Sequence, residues 1–122
     1  ACLVGSEMCI RDSFNAGSDY VVFNAALIQK GTLMEKMYNE KQYRPPWLWS
    51  IIEILKQTRH YGPVRIGDFT DEPKPIAGPY NCDQCTNKVI ELFNEYKTSN
   101  DINIFNNVKC NCKEEWERQI NG

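Results

Sequence analysis

Two short chelating pairs of cysteines, Cys82-x-x-Cys85 and Cys110-x-Cys112, constrain this chain more than any other feature. Each pair stands immediately before a segment with helical periodicity, 86–97 and 113–120. A helix N-terminus presents free amides and the positive end of the helix dipole, which favour thiolate over thiol. Thiolate is the form that a metal needs. The pairs can also meet: the intervening helix of roughly 12 residues is about 18 Å long, and the extended stretch 98–109 can span up to about 40 Å. A loop of this size encloses little core, so a zinc ion held by Cys82, Cys85, Cys110 and Cys112 would add folding energy directly. Four sulfurs around zinc leave no open position, which makes such a site structural rather than catalytic. Two disulfides stapling the same elements in an oxidising compartment are the alternative. The spacing matches neither common ferredoxin pattern.

The other two of the six cysteines, Cys2 and Cys9, fall in a segment of different origin. Residues 2–13, CLVGSEMCIRDS, back-translate without a gap into an adapter used in transposase-based sequencing libraries. Residues 1–13 are therefore read as a scar and excluded from fold reasoning, with the native start replaced. What remains, from near Phe14, suits one small domain or a helical half joined to a small module.

Composition argues for a folded chain: 42% hydrophobic and 11% aromatic residues can offset ordering entropy. The net charge of -2 gives no global sign of a nucleic-acid partner. Residues 19–66 nevertheless carry seven Lys or Arg against four acids, and 67–122 carry six against ten. Two solvated faces that help the halves dock explain this asymmetry, and a weakly basic surface on the first half is the sharper reading. No apolar run approaches a membrane span, so no membrane partner is expected.

Residues 19–28 are strongly apolar and are assigned to a helix, with a short strand at YVVF as the other choice. Gly31 suits a helix C-terminus, and Thr32-Leu33-Met34-Glu35 reads as a capping box opening a helix over 33–43. Pro45 and Pro46 interrupt it and pre-set the first turn of a helix over 47–60, with Leu48, Ile51, Ile52 and Leu55 at helical spacing. Residues 64–69 allow a short strand, and 63–81, with Pro73, Pro75 and Pro79, form a linker or extended loop. In 86–97, Val89, Ile90, Phe93 and Tyr96 share one side. Ile102 and Ile104 alternate with polar residues, which predicts an extended return strand. The last helix, 113–120, places Trp116 and Ile120 one turn apart.

Two short resemblances fade on inspection. The run 79–85 before a helix is similar to a thioredoxin-type active site, but that motif follows a central strand, whereas Pro73, Pro75, Gly78 and Pro79 precede it here. Residues 51–69, ending in Val64-Arg65-Ile66-Gly67-Asp68-Phe69, resemble the turn of winged-helix DNA-binding domains. The recognition helix that should follow is not permitted by Pro73 and Pro75.

His60 is the sole histidine and sits at a helix C-terminus, where a cation complements the dipole. The acid pairs Asp71-Glu72 and Glu114-Glu115 read as solvated charges. Trp47 and Trp49, two apart on a helix, cannot share one narrow core stripe. Either Trp47 packs inside and Trp49 against the Pro-rich linker, or, with Arg59 and Arg65, they form part of a protein contact, where Trp is often a hot spot.

The sequence thus predicts a mainly α fold, with a small α+β variant allowed. Its parts are a helical region 14–62, a Pro/Gly linker 63–81 and a four-cysteine module 82–122. The expected role is a non-enzymatic adaptor or assembly subunit with structural Zn2+ and another protein chain as partner. A zinc-dependent nucleic-acid-binding or regulatory module using Lys30, Lys36, Lys41, Arg44, Lys56, Arg59 and Arg65 is the first alternative. A secreted disulfide-stapled domain is the second. Compartment follows the site: inside the cell if zinc-bound, outside if disulfide-bonded.

Overall fold

Helix α3 (Leu48–Thr58) is the centre of the fold, because its apolar residues fill more than one stripe. Leu48, Trp49, Ile51, Ile52, Ile54 and Leu55 are all buried. Such a helix must be covered on several sides. The computed structural model describes residues 2–24, 27–67 and 75–121, and these elements supply the cover. In chain order they are α1 (Cys2–Asn15), β1 (Val21–Phe23), α2 (Leu33–Asn39), α3, β2 (Val64–Ile66), α4 (Thr86–Ser99) and α5 (Cys112–Asn121). Short 3-10 turns stand at Arg59–Tyr61 and Ile102–Asn107. The fold is mainly α with one small parallel sheet, as the sequence predicts. Among the described residues, no helix is long and apolar enough to cross a membrane.

One core cluster joins both halves of the chain. Leu48, Ile51 and Leu55 of α3 belong to it together with Val89 and Phe93 of α4, Phe105 and Trp116. The adapter-like helix α1 packs on α3 and contributes Ile10 to the same cluster. Phe14, at its end, lies over Gly62, where a Cβ would come within 2.6 Å of the ring.

Helix α2 starts where its cap predicts. Thr32 Oγ1 accepts from the Glu35 amide at 3.2 Å, while the Glu35 carboxylate reaches back to the Gly31 amide at 3.4 Å. It ends at Asn39, short of the expected 43, because the chain turns through Lys41 at positive φ.

Three sequence expectations are corrected. Residues 19–28 hold a strand, not a helix, in their described part: β1 pairs in parallel with β2, Val21 opposite Val64 and Phe23 opposite Ile66. Two β-branched residues favour that pairing over local helix. Ile28, fully buried, bridges Ala77. The return stretch is a 3-10 turn rather than a strand. Asp101 Oδ1 accepts from the Asn103 amide at 3.0 Å, and side-chain capping of this kind diverts Asn- and Asp-rich segments from extended structure. The turn drives Phe105 against Phe93 and Tyr96, with ring centroids 4.8 and 5.8 Å apart. Finally, Ile120 is 44% exposed although Trp116, one turn earlier, is buried. Residues 68–74, which include the end of the expected 64–69 strand and the middle of the linker, lie outside the described residues.

Candidate metal centre

The first cysteine pair occupies a turn built for sulfur. Thr86, the first residue of α4, accepts through Oγ1 from the amides of Asn81 at 3.0 Å and Cys82 at 3.1 Å. The Thr86 amide donates to the Cys82 carbonyl at 3.2 Å, and the Val89 amide to Cys85 at 2.9 Å. Tyr80 hydrogen-bonds Asp83 across the same turn. The second pair is carried at the start of α5, where the Lys113 amide donates to the Cys110 carbonyl and the Glu114 amide to Asn111, both at 3.1 Å. Both pairs thus open helices, as expected.

The four sulfurs converge. Cys82 Sγ lies 3.7 Å from Cys85 Sγ and 3.5 Å from Cys110 Sγ, and Cys85 Sγ lies 3.6 Å from Cys112 Sγ. All four fall within 4.8 Å of one another. Sulfurs tetrahedral about an ion at 2.3 Å would be about 3.8 Å apart, whereas a disulfide needs about 2.05 Å. The four are free cysteines, so the disulfide-stapled alternative is overturned. The donor set and its spacing fit one metal ion.

Electrostatics differ from sulfur to sulfur, and a helix start alone does not favour thiolate at each of them. Burial alone would push the Cys82 thiol up, but the backbone amides of Cys85 and Gln84, with the Cys110 and Cys112 side chains, bring it down to about 7. Burial pushes the Cys85 thiol up, despite hydrogen bonds from Cys112 and Asn81. Burial likewise pushes the Cys112 thiol up, against the Trp49 hydrogen bond and with the neighbouring cysteines adding to the rise. Thiolate is favoured at Cys82 and disfavoured at Cys85 and Cys112. A bound cation would remove that difference, since a coordinating thiol is deprotonated outright.

Of the other predicted residues, Trp49 reaches the cluster and Trp47 does not, the reverse of the expected packing in which Trp47 is the inner one. Trp49 is buried, and its indole N–H donates to Cys112 Sγ at 3.3 Å. Trp47 is half-buried, donates to Gln119 Oε1 at 3.1 Å and carries the Arg44 guanidinium 4.0 Å above its ring. Arg59 donates to the Asn100 carbonyl at 3.4 Å. Arg65 is exposed and stacks on Tyr20 at 4.2 Å. His60 is exposed beside Tyr61. The residues that sequence reasoning missed are Asn81 and Thr86. Their adjacency to the first pair was the one available signal.

Fold and site together define a small, mainly α chain closed by a four-cysteine cluster. No protein-family profile and no solved structure matches it. It is similar to the archaeosine synthase subunit beta of Methanosarcina acetivorans, 34% identical over 106 residues, covering 84% of this chain and 30% of that protein. The archaeosine synthase subunit beta of Thermococcus kodakarensis is 34% identical over 102 residues, 82% of this chain and 32% of the relative. An uncharacterized protein of Methanocaldococcus jannaschii is 35% identical over 108 residues, 85% and 29% respectively. The chain therefore spans about three tenths of the length of these curated relatives.

Proposed function

We propose that this chain is a non-enzymatic part of an assembly subunit of the archaeosine synthase type, and that a structural zinc holds its cysteine-bearing segment in place. The observation that carries the metal reading is the convergence of Cys82, Cys85, Cys110 and Cys112 Sγ within 4.8 Å of one another, with three of the pairs at 3.5 to 3.7 Å. With all four thiolates on zinc, no position remains for water, so the ion would supply folding energy rather than chemistry. The subunit reading draws on the relatives' names. Its partner is another protein chain, with Trp47, Arg59 and Arg65 as the contact candidates and Trp49 acting from beneath the surface. Tagged chain mixed with the companion subunit of an archaeosine synthase should retain it. Failure to do so in 0.1 M salt, with zinc present, contradicts the assembly role.

Nucleic-acid binding is the second reading, favoured by the exposed Arg65–Tyr20 stack and by Arg44 stacked on half-buried Trp47. It predicts affinity that falls steeply with salt, and no binding to DNA or RNA at low salt removes it. Residues 1–13 are proposed to be non-native. Deleting them should leave metal content unchanged even though Ile10 packs in the core.

A further inference from the structure

Two side chains outside the ligand set connect the cysteine cluster to the helical half. Asn81 is 4% exposed, and its amide faces two ways. Nδ2 donates to Cys85 Sγ at 3.7 Å, and Oδ1 accepts the backbone N–H of Trp49 at 3.2 Å. The reverse amide orientation would set oxygen against sulfur and NH2 against N–H, satisfying neither. Trp47, at the N-cap of α3, makes no side-chain cap. Asn81 therefore caps α3 from a distant point in the chain, satisfying an amide that the first helical turn leaves open. Trp49, also buried, completes the link by donating Nε1–H to Cys112 Sγ at 3.3 Å. Lys113 Nζ stands 5.7 Å from its ring centroid. One donor thus reaches each cysteine pair, and both donors meet at the start of α3.

We infer that Asn81 and Trp49 are positioning residues that hold the metal-bound sulfurs and tie them to the N-terminus of α3, so that loss of metal loosens that helix as well. The inference rests on the metal reading above. Four thiolates around a divalent ion carry net negative charge in partly apolar surroundings, and N–H donors to sulfur offset it. Outer-sphere donors of this kind typically change metal affinity by roughly 10- to 100-fold.

The test uses the full chain loaded with cobalt(II), whose sulfur-to-metal charge-transfer band reports on the sulfurs. Trp49→Phe keeps a ring and removes the N–H. Asn81→Asp keeps an acceptor for the Trp49 amide and removes the donor to Cys85, whereas Asn81→Ala removes both. Trp49→Phe and Asn81→Asp should each shift the band and weaken metal retention against a chelator by roughly 10-fold or more. Asn81→Ala should in addition speed amide hydrogen exchange at 48–51, which Asn81→Asp should not. In the unsubstituted chain, chelation should speed exchange at the same amides. Wild-type band position and retention in both Trp49→Phe and Asn81→Asp overturn the inference, as do 48–51 amides that ignore chelation. A wild-type chain that takes up no cobalt overturns the metal reading itself, and this inference with it.

Discussion

The two cysteine pairs reach one cluster by different routes. Cys82 and Cys85 sit in a turn organised within its own few residues, where Thr86 Oγ1 binds two amides and backbone N–H groups face the Cys82 sulfur. Cys110 and Cys112 are delivered from farther away. Their place depends on Phe105 packing under Phe93 and Tyr96, and on α5 seating Trp116 in the core with its indole N–H 2.8 Å from Ser50 Oγ. The first pair is prepared locally, and the second is placed by tertiary packing. A metal ion would join a ready half-site to one whose position costs conformational entropy.

The largest expected effect comes from removing either half. Cys85→Ser and Cys112→Ser should both abolish metal binding and unfold the segment after Tyr80, as read by zinc content and circular dichroism. Equal effects mean one shared site. A Cys112→Ser chain that keeps its metal would break the comparison by making the first pair sufficient.

Acid should act next. Cys82, at about 7 in the folded chain against an ordinary 9.0, stabilises the metal-free fold fully above pH 9 and loses that contribution as pH falls through 7. Cys85 and Cys112 are shifted upward, so their contribution is complete below 9 and fades as pH rises through their higher values. Bound metal overrides these preferences by holding thiolate. Protons then compete with it, and zinc retention should fall between about pH 8 and about pH 5. Retention that stays flat across that range contradicts thiolate ligation.

A smaller change sharpens the contrast between the pairs. Thr86→Val keeps the shape but leaves the Asn81 and Cys82 amides without their acceptor, at a cost of about 1–3 kcal/mol. Chemical denaturation should show this loss, and Thr86→Ser should restore most of it. Smallest of all, Ile120→Ser on the exposed face of α5 should change stability by about 0.5 kcal/mol or less. A large loss there would mean that the second pair depends on more of α5 than Trp116.

Much of the site was legible because its signals are local. Cysteine spacing marked the four sulfurs, and periodicity placed α3 and α4, with Val89, Phe93 and Tyr96 buried as expected. The misses are long-range or competitive. Val21 and Val22 become a strand only through Val64 and Arg65, partners that no local window contains. Ile102 and Ile104 alternate like a strand, yet the Asp101 cap and the burial of Phe105 turn the chain into a 3-10 helix. The indole of Trp49 meets Cys112 only after folding, so the residue could be singled out in sequence but its role could not.

Zinc content and thiol state, measured together on the purified full chain, test the central claim most directly. About one zinc per chain is predicted, with Cys82, Cys85, Cys110 and Cys112 reduced and shielded from alkylation until a chelator is added. A metal-free chain that stays fully folded with these four thiols reduced and reactive would contradict it.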